Sequence, residues 1–148
     1  MARAVRVIAA GEPRDGEIVD TLLFDFAQRQ APTGTFTGLR GRQFEIPRMT
    51  RRLMHEDCLV LDDGSLVEIL ASPEPLIELR AASTAALARL AWQIGDRHIP
   101  AELHARRLRL RRDAAVEEWL RSIGAQPVAI EAPFEPECGA YAGHLVER

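Results

Sequence analysis

The chain has 148 residues, 47% of them hydrophobic. That is enough for one ordinary domain or two very small ones around packed cores, and it excludes a disordered chain. The formal net charge is −3, from 19 basic and 22 acidic groups, which argues against a dedicated nucleic-acid binder. Every basic residue is arginine, a trait that genome composition explains. Two cysteines, Cys58 and Cys138, imply no disulfide framework. The N-terminal apolar run is broken by Arg6 and lacks the continuity of a signal peptide. No stretch approaches the length of a membrane span. A soluble, cytoplasmic protein is expected.

In chain order, the first half reads as β. "AVRVIAA" alternates at its start, and "TLLFDF" sets Leu22, Phe24 and Phe26 on one face at period two. "TGTFTGLRGRQFEI" mixes Thr, Phe and Gly and stops at Pro47. "EDCLVLDDGSLVEILA" is the clearest hairpin, two apolar runs around Asp62-Asp63-Gly64. No helix is expected before Ser83. Pro73 and Pro75 flank Glu74, and such a segment resists helix and stays extended.

The second half changes period. "PLIELRA" reads as a strand, and a helix follows, capped by Ser83 or Thr84. Leu87, Leu90, Ala91 and Ile94 form its buried stripe, and Gly95 stands where a left-handed terminator is expected. "IPAELHA" and "RLRLR" read as strands. Asp113 caps a second helix carrying Val116, Trp119, Leu120 and Ile123, closed by Gly124, and "AQPVAIEAPF" is a last strand. The expected class is α+β: a small all-β N-terminal domain followed by a ferredoxin-like βαββαβ domain, two helices on one face of a four-stranded sheet. The expected boundaries are 1–72 for the β-rich domain, 73–75 for a Pro-rich linker and 76–137 for the ferredoxin-like domain. A flexible tail, 138–148, is expected to run free of the sheet.

Phosphate-binding loops, nucleophile elbows, paired-cysteine zinc motifs and H-E-x-x-H are all absent from the sequence. The four histidines, His55, His98, His104 and His144, do not assemble a local triad, so the chain reads as no enzyme. His98 lies in a helix-to-strand junction. It is either a capping or surface histidine, or half of a metal site that a twofold dimer would complete by duplicating it. In the tail, Cys138 and His144 are donors suited to late first-row divalent metals. His104 reads as solvent-facing or packing, His55 as a loop residue and Cys58 as a small core side chain. Arg106, Arg107, Arg109, Arg111 and Arg112 form the strongest charge cluster. They support an alternative reading as an RNA- or protein-binding module, although the aromatic stacking pair of such RNA-binding domains is missing.

Three stretches resemble the urease accessory protein family UreE, the nickel metallochaperones. "GDRHIP" at 95–100 is similar to the family's Gly-Asn-Arg-His-x-Pro element, and "PFEPECGAYAGH" at 133–144 to its Pro-Phe-Glu-Pro-Glu-x-Gly-Ala-Tyr element. "LDDGSLVEILASPEPLIEL" at 61–79 resembles its domain junction. The resemblance implies a peptide-binding type of N-terminal domain and a metal-binding C-terminal domain. It also implies a homodimer with the family's histidine, here His98, near the twofold axis. The implied cargo is Ni2+, with Zn2+ or Cu2+ binding the same site, held by His98 and His144. The implied partners are a GTPase urease accessory protein and the urease apoprotein–accessory complex, and membrane or nucleic acid is not among them. Asp96 stands where the family has Asn. "LRLRRDAA" lacks the extra histidines of many relatives, and "GHLVER" replaces a histidine-rich tail.

Overall fold

The structure is a computed structural model, and it describes residues 1–49 and 51–138. The chain is α+β and divides into two compact units, Met1–Ser72 and Pro73–Cys138. No described helix is long and apolar enough to cross a membrane.

The first unit contains strands β1 (Ala2–Ile8), β2 (Ile18–Phe24), β3 (Gly34–Thr37), β4 (Gln43–Ile46), β5 (Cys58–Leu61) and β6 (Leu66–Ala71). They form one sheet in the order β2-β6-β5-β1-β4-β3. The β1–β4 and β2–β6 pairs are parallel and the others antiparallel. Every residue of β5 is buried. Leu59 and Leu61 join a core with Phe24, Phe44, Ile46 and Ile69, whereas Cys58 and Val60 pack with Ile8 and Leu66. This division follows from the period of two along a strand covered on both faces. The expected hairpin is β5–β6, with Leu59 opposite Val67 and Gly64 at φ 84° in its turn.

Two features depart from the simple alternation expected. A bulge in β1 between Ala4 and Arg6 turns Val5 outward, 60% exposed, so that Ala4 and Val7 share a core three residues apart. The first unit is also not purely β. A one-turn helix, α1 (Phe26–Arg29), interrupts the run that was expected to continue through Phe26. The cause is a reciprocal capping box. The Gln28 amide N–H donates to the Asp25 carboxylate at 2.8 Å, and the Asp25 N–H donates to Gln28 Oε1 at 2.9 Å. Phe26 still buries its ring, but from the helix.

Asp20, fully buried, orders the loop between β3 and β4. Its carboxylate accepts from the N–H groups of Thr21, Arg40 and Arg42 at 2.7–2.8 Å. Burial pushes its carboxyl up, but these backbone donors and the Arg40 charge outweigh that and hold it below the usual range. Gly38 lies so close that a Cβ there would overlap the carboxylate.

The second unit runs β7 (Glu74–Arg80), α2 (Thr84–Asp96), β8 (Glu102–Leu103), β9 (Arg107–Arg111), α3 (Ala114–Ser122) and β10 (Val128–Ala132). The sheet order is β10-β7-β9-β8, antiparallel throughout. Ser83 caps α2 by accepting from the Ala86 N–H at 3.1 Å, and Asp113 caps α3 by accepting from Val116 at 3.0 Å. Leu87, Leu90 and Ile94 of α2 and Leu120 of α3 meet Ile77, Leu79, Leu108 and Leu110 in one core. Glu74 and Pro75, expected within a linker, belong to β7 instead. Pro75 stands opposite Glu131, and its carbonyl accepts from Arg112 at 3.2 Å. Proline is tolerated at the start of a strand, where its missing donor disturbs the ladder least.

The segment after β10 is not free of the sheet as far as it is described. Residues 133–138 lead from β10, at one edge, to β8, at the other. There the Glu135 N–H donates to Glu102 Oε2 at 3.2 Å and the Glu137 N–H to the Ala101 carbonyl at 2.9 Å. Glu102, Arg109 and Glu78 are cross-strand neighbours on the face away from the helices, so this strap crosses the helix-free face. Phe134 is completely buried and Pro136 is buried. Two apolar side chains at period two outweigh the entropy of docking the strap. The remainder of the expected tail, 139–148, lies outside the described residues.

Candidate metal centre

The end of α2 positions His98. The helix does not stop at Gly95, as its sequence led one to expect; it continues through Asp96, and Arg97 is the C-cap. The residue with left-handed backbone is His98, at φ 59°. Its N–H donates to the Gly95 carbonyl at 2.9 Å, and the Ile99 N–H donates to Ile94 at 3.3 Å. This pair of bonds is a Schellman closure with His98 at C′. Its usual hydrophobic contact is present, since Ile99 packs with the cluster containing Ile94. Pro100 follows and forbids further helix.

The closing residue of α3 gives the comparison. Gly124 takes φ 88°, with its N–H to Arg121 at 3.1 Å and the Ala125 N–H to Leu120 at 2.9 Å. The two helices of this unit thus end in the same hydrogen-bond pattern, one on glycine and the other on histidine. A side chain in this conformation costs about 1 kcal/mol relative to glycine. The imidazole of His98 stands on an exposed residue. Beside it, the Arg97 guanidinium carbon lies 3.9 Å from the centroid of the Trp119 ring on α3, within cation–π distance.

The other candidates separate from His98 by environment. His104 is half-buried, with Nε2 2.9 Å from Glu102 Oε1, the carboxylate whose second oxygen holds the strap. His55 Nδ1 accepts from the Ala71 N–H at 3.0 Å, a structural bond within the first unit. Cys58 is buried; burial pushes its thiol up, against the nearby Arg14 charge, as befits a core side chain. Cys138 is exposed at the end of the strap, one residue past the bond from Glu137 to Ala101. His144 lies outside the described residues. Among the described residues of one chain, no group of three or more His, Cys, Asp or Glu is arranged to hold a metal ion. Among the described residues, this junction presents one histidine, His98, on an exposed position.

The arginine strand is paired with acid rather than presented bare. Glu78 lies within 3.0 Å of Arg80, 3.3 Å of Arg109 and 3.9 Å of Arg107. Burial pushes the Glu78 carboxyl up, but hydrogen bonds from Arg80 and Arg109 and the charge of Arg107 outweigh it, leaving it below the ordinary range. Arg112 meets Glu117 at 3.3 Å. An RNA backbone would have to displace these carboxylates.

A family model described as "UreE urease accessory protein, C-terminal domain" matches residues 74–147. Its first matched residue is the first residue of β7. Relatives similar along nearly the whole chain carry the name urease accessory protein UreE. One from Bradyrhizobium sp. (strain ORS 278) is 44% identical, covering 96% of this chain and 68% of its own. One from Beijerinckia indica is 39% identical, over 97% of this chain and 83% of its own. Another, from Ruegeria sp. (strain TM1040), is 37% identical, over 95% of this chain and 80% of its own.

The chain belongs to the UreE urease accessory protein family.

UreE proteins are accessory proteins and not enzymes, in keeping with the reading of four histidines that form no triad. The UreE match takes in both stretches that carried the resemblance, 95–100 and 133–144. Within the described part, the first is the closure of α2 and the second the strap beneath β8. Sequence reasoning missed Arg97 as the cap and Ile99 as its apolar partner. The signal was available in Ile99-Pro100, an apolar residue and a proline just past a helix end.

Proposed function

We propose that this chain is a nickel chaperone of urease maturation, which holds a divalent ion between two protomers and hands it to apo-urease. The observation that carries the reading is His98: an exposed histidine in a left-handed cap position where glycine costs less. Backbone strain retained at an exposed side chain points to a role for that side chain. One imidazole binds a metal weakly, and a twofold dimer of the second unit, read as ferredoxin-like from its element order, doubles it. His144 would supply a further imidazole from the tail. The cargo must be released, so few protein ligands with open positions suit it better than a closed cage. Copper would bind at least as well and zinc would compete, so selection of nickel falls to metal supply and to the partners. Those partners are a GTPase urease accessory protein and the urease apoprotein–accessory complex. The setting is the cytoplasm, and the first unit serves as a peptide-binding type of domain.

The test is calorimetric titration of nickel into the full chain and into His98→Ala, with light scattering on the same samples. The expected result is a dimer whose tightest nickel step disappears in the variant while the fold persists. A strict monomer at tens of micromolar with and without nickel, or unchanged tight binding by His98→Ala, overturns the reading. Truncation from Tyr141 onward tests His144: binding should weaken at neutral pH and change much less at pH 5.5, where imidazole protonation competes with metal.

A further inference from the structure

We infer that the Arg97–Trp119 stack carries α2 past Gly95 and thereby sets the backbone position of His98, so that Arg97 is a positioning residue for the metal ligand. The functional half of this inference rests on the reading of His98 given above; the structural half does not.

Helix α2 has two places to stop. A C′ glycine adopts left-handed backbone without steric cost, and Gly95 offers that stop first. Ending there would remove the closure in which the His98 and Ile99 N–H groups bond Gly95 and Ile94. The structure takes the second stop. Gly95 stays helical, where glycine is disfavoured, and His98 takes the strained position. Both choices cost free energy, so something beyond the second stop must offset them.

Among the contacts made there are two that reach beyond the helix backbone. Ile99 packs into the core that contains Ile94, and Arg97 lies 3.9 Å over the Trp119 ring. They differ in what they reach. The Ile99 side chain enters the core shared by the whole unit, and its N–H returns to Ile94 of its own helix. The Arg97 contact ties that end to α3, whose Trp119 is itself packed against the shared core and whose own end is closed on Gly124. Arg97 is the C-cap and His98 the next residue, so a guanidinium clamped to a fixed ring leaves the following peptide little freedom. Trp is the aromatic side chain that attracts a cation most strongly. The stack therefore favours the later stop and orients the residue that follows it.

The test uses the full-length, metal-free chain and four variants: Arg97→Ala and Trp119→Leu, which remove the stack, and Arg97→Lys and Trp119→Phe, which keep a cation over a ring. Amide hydrogen exchange is read at His98 and Ile99, the two donors of the closure, and at amides in the middle of α2. Nickel affinity is measured alongside. Removing the stack should speed exchange at His98 and Ile99 selectively, leave the middle of α2 protected, and weaken nickel binding about threefold to tenfold. The two conservative variants should recover most of both. Unchanged exchange at His98 and Ile99 in folded Arg97→Ala overturns the inference. So does acceleration spread evenly along α2, which would mark a loss of global stability only. If exchange responds as expected while nickel binding is insensitive both to Arg97→Ala and to His98→Ala, the ligand reading fails and the positioning of the backbone stands. If His98→Ala loses nickel while Arg97→Ala changes neither readout, the reverse holds.

Discussion

His98 and Gly124 occupy equivalent positions at the ends of two helices, each following the C-cap with positive φ, 59° and 88° respectively. Only the histidine bears a side chain that this backbone disfavours. His98→Gly should therefore stabilise the fold, by about 0.5–1 kcal/mol, while removing the proposed nickel ligand. Urea denaturation of the metal-free protein measures the gain. A variant no more stable than the parent would show that His98 is not strained.

Glu78 gives a pH dependence whose sign follows from its environment. Its folded carboxyl lies below the usual range because Arg80, Arg109 and Arg107 outweigh the effect of burial. A depressed carboxyl contributes stability that is present above its unfolded pKa, about 4.3, and is lost as pH falls through the folded value. Glu78→Gln should thus be destabilising at pH 6, with the difference from the parent shrinking as pH approaches 3. Denaturant midpoints across that range check it. A constant difference would mean that the carboxylate charge plays no part.

Phe134 pins the strap to the helix-free face. Its ring is completely buried, so Phe134→Ala should cost about 3–5 kcal/mol where the site cannot collapse. The strap should also open, exposing 133–138 to protease before the rest of the second unit unfolds. Limited proteolysis with mass readout follows this. Cleavage elsewhere first would show that the strap is not the part Phe134 holds.

Gly38 packs against the Asp20 carboxylate so closely that a Cβ would overlap it. Gly38→Ala must push aside a buried anion that accepts three backbone N–H groups, and a loss of about 2 kcal/mol or more is expected. Asp20→Asn should lose less than Asp20→Ala, since the amide keeps one acceptor oxygen. Thermal melts of the three variants settle the order, and a neutral Gly38→Ala would show that the loop yields.

The order of elements in the second unit and the starts of its helices were legible because their signals are local. Leu87, Leu90 and Ile94 repeat at helical spacing and all are buried, and the caps Ser83 and Asp113 sit where their side chains bond the first turn. The first unit was legible only as strands. Its parallel pair β2–β6, with Leu22 opposite Ile69, joins residues far apart, and no local pattern encodes that choice. The Asp25–Gln28 box was hidden inside an apparent alternation of Phe24 and Phe26. At the candidate site, the type of residue was readable and its backbone was not. Gly95 outweighed His98 as a stop on propensity alone, and the contacts beyond the observed stop, Arg97 over Trp119 and Ile99 in the shared core, come from tertiary packing that no local pattern encodes. The last strand reads on to Phe134 in the sequence, but it ends at Ala132, and Phe134 is buried from the strap instead.

The register of β1 has a consequence during synthesis. Ile8 pairs with Cys58, fifty positions later, and Ala2 with Phe44 of β4. A ribosome adding about 5–20 residues per second needs roughly 3–10 s to make the intervening chain, before counting the length still hidden in its exit tunnel. Until β4 has been made and has emerged, β1 has neither of its sheet neighbours, and until β5 follows it has only one. Its arginines, Arg3 and Arg6, are then more than surface decoration: they break the apolar run in a nascent segment that would otherwise be a ready template for other unfinished chains.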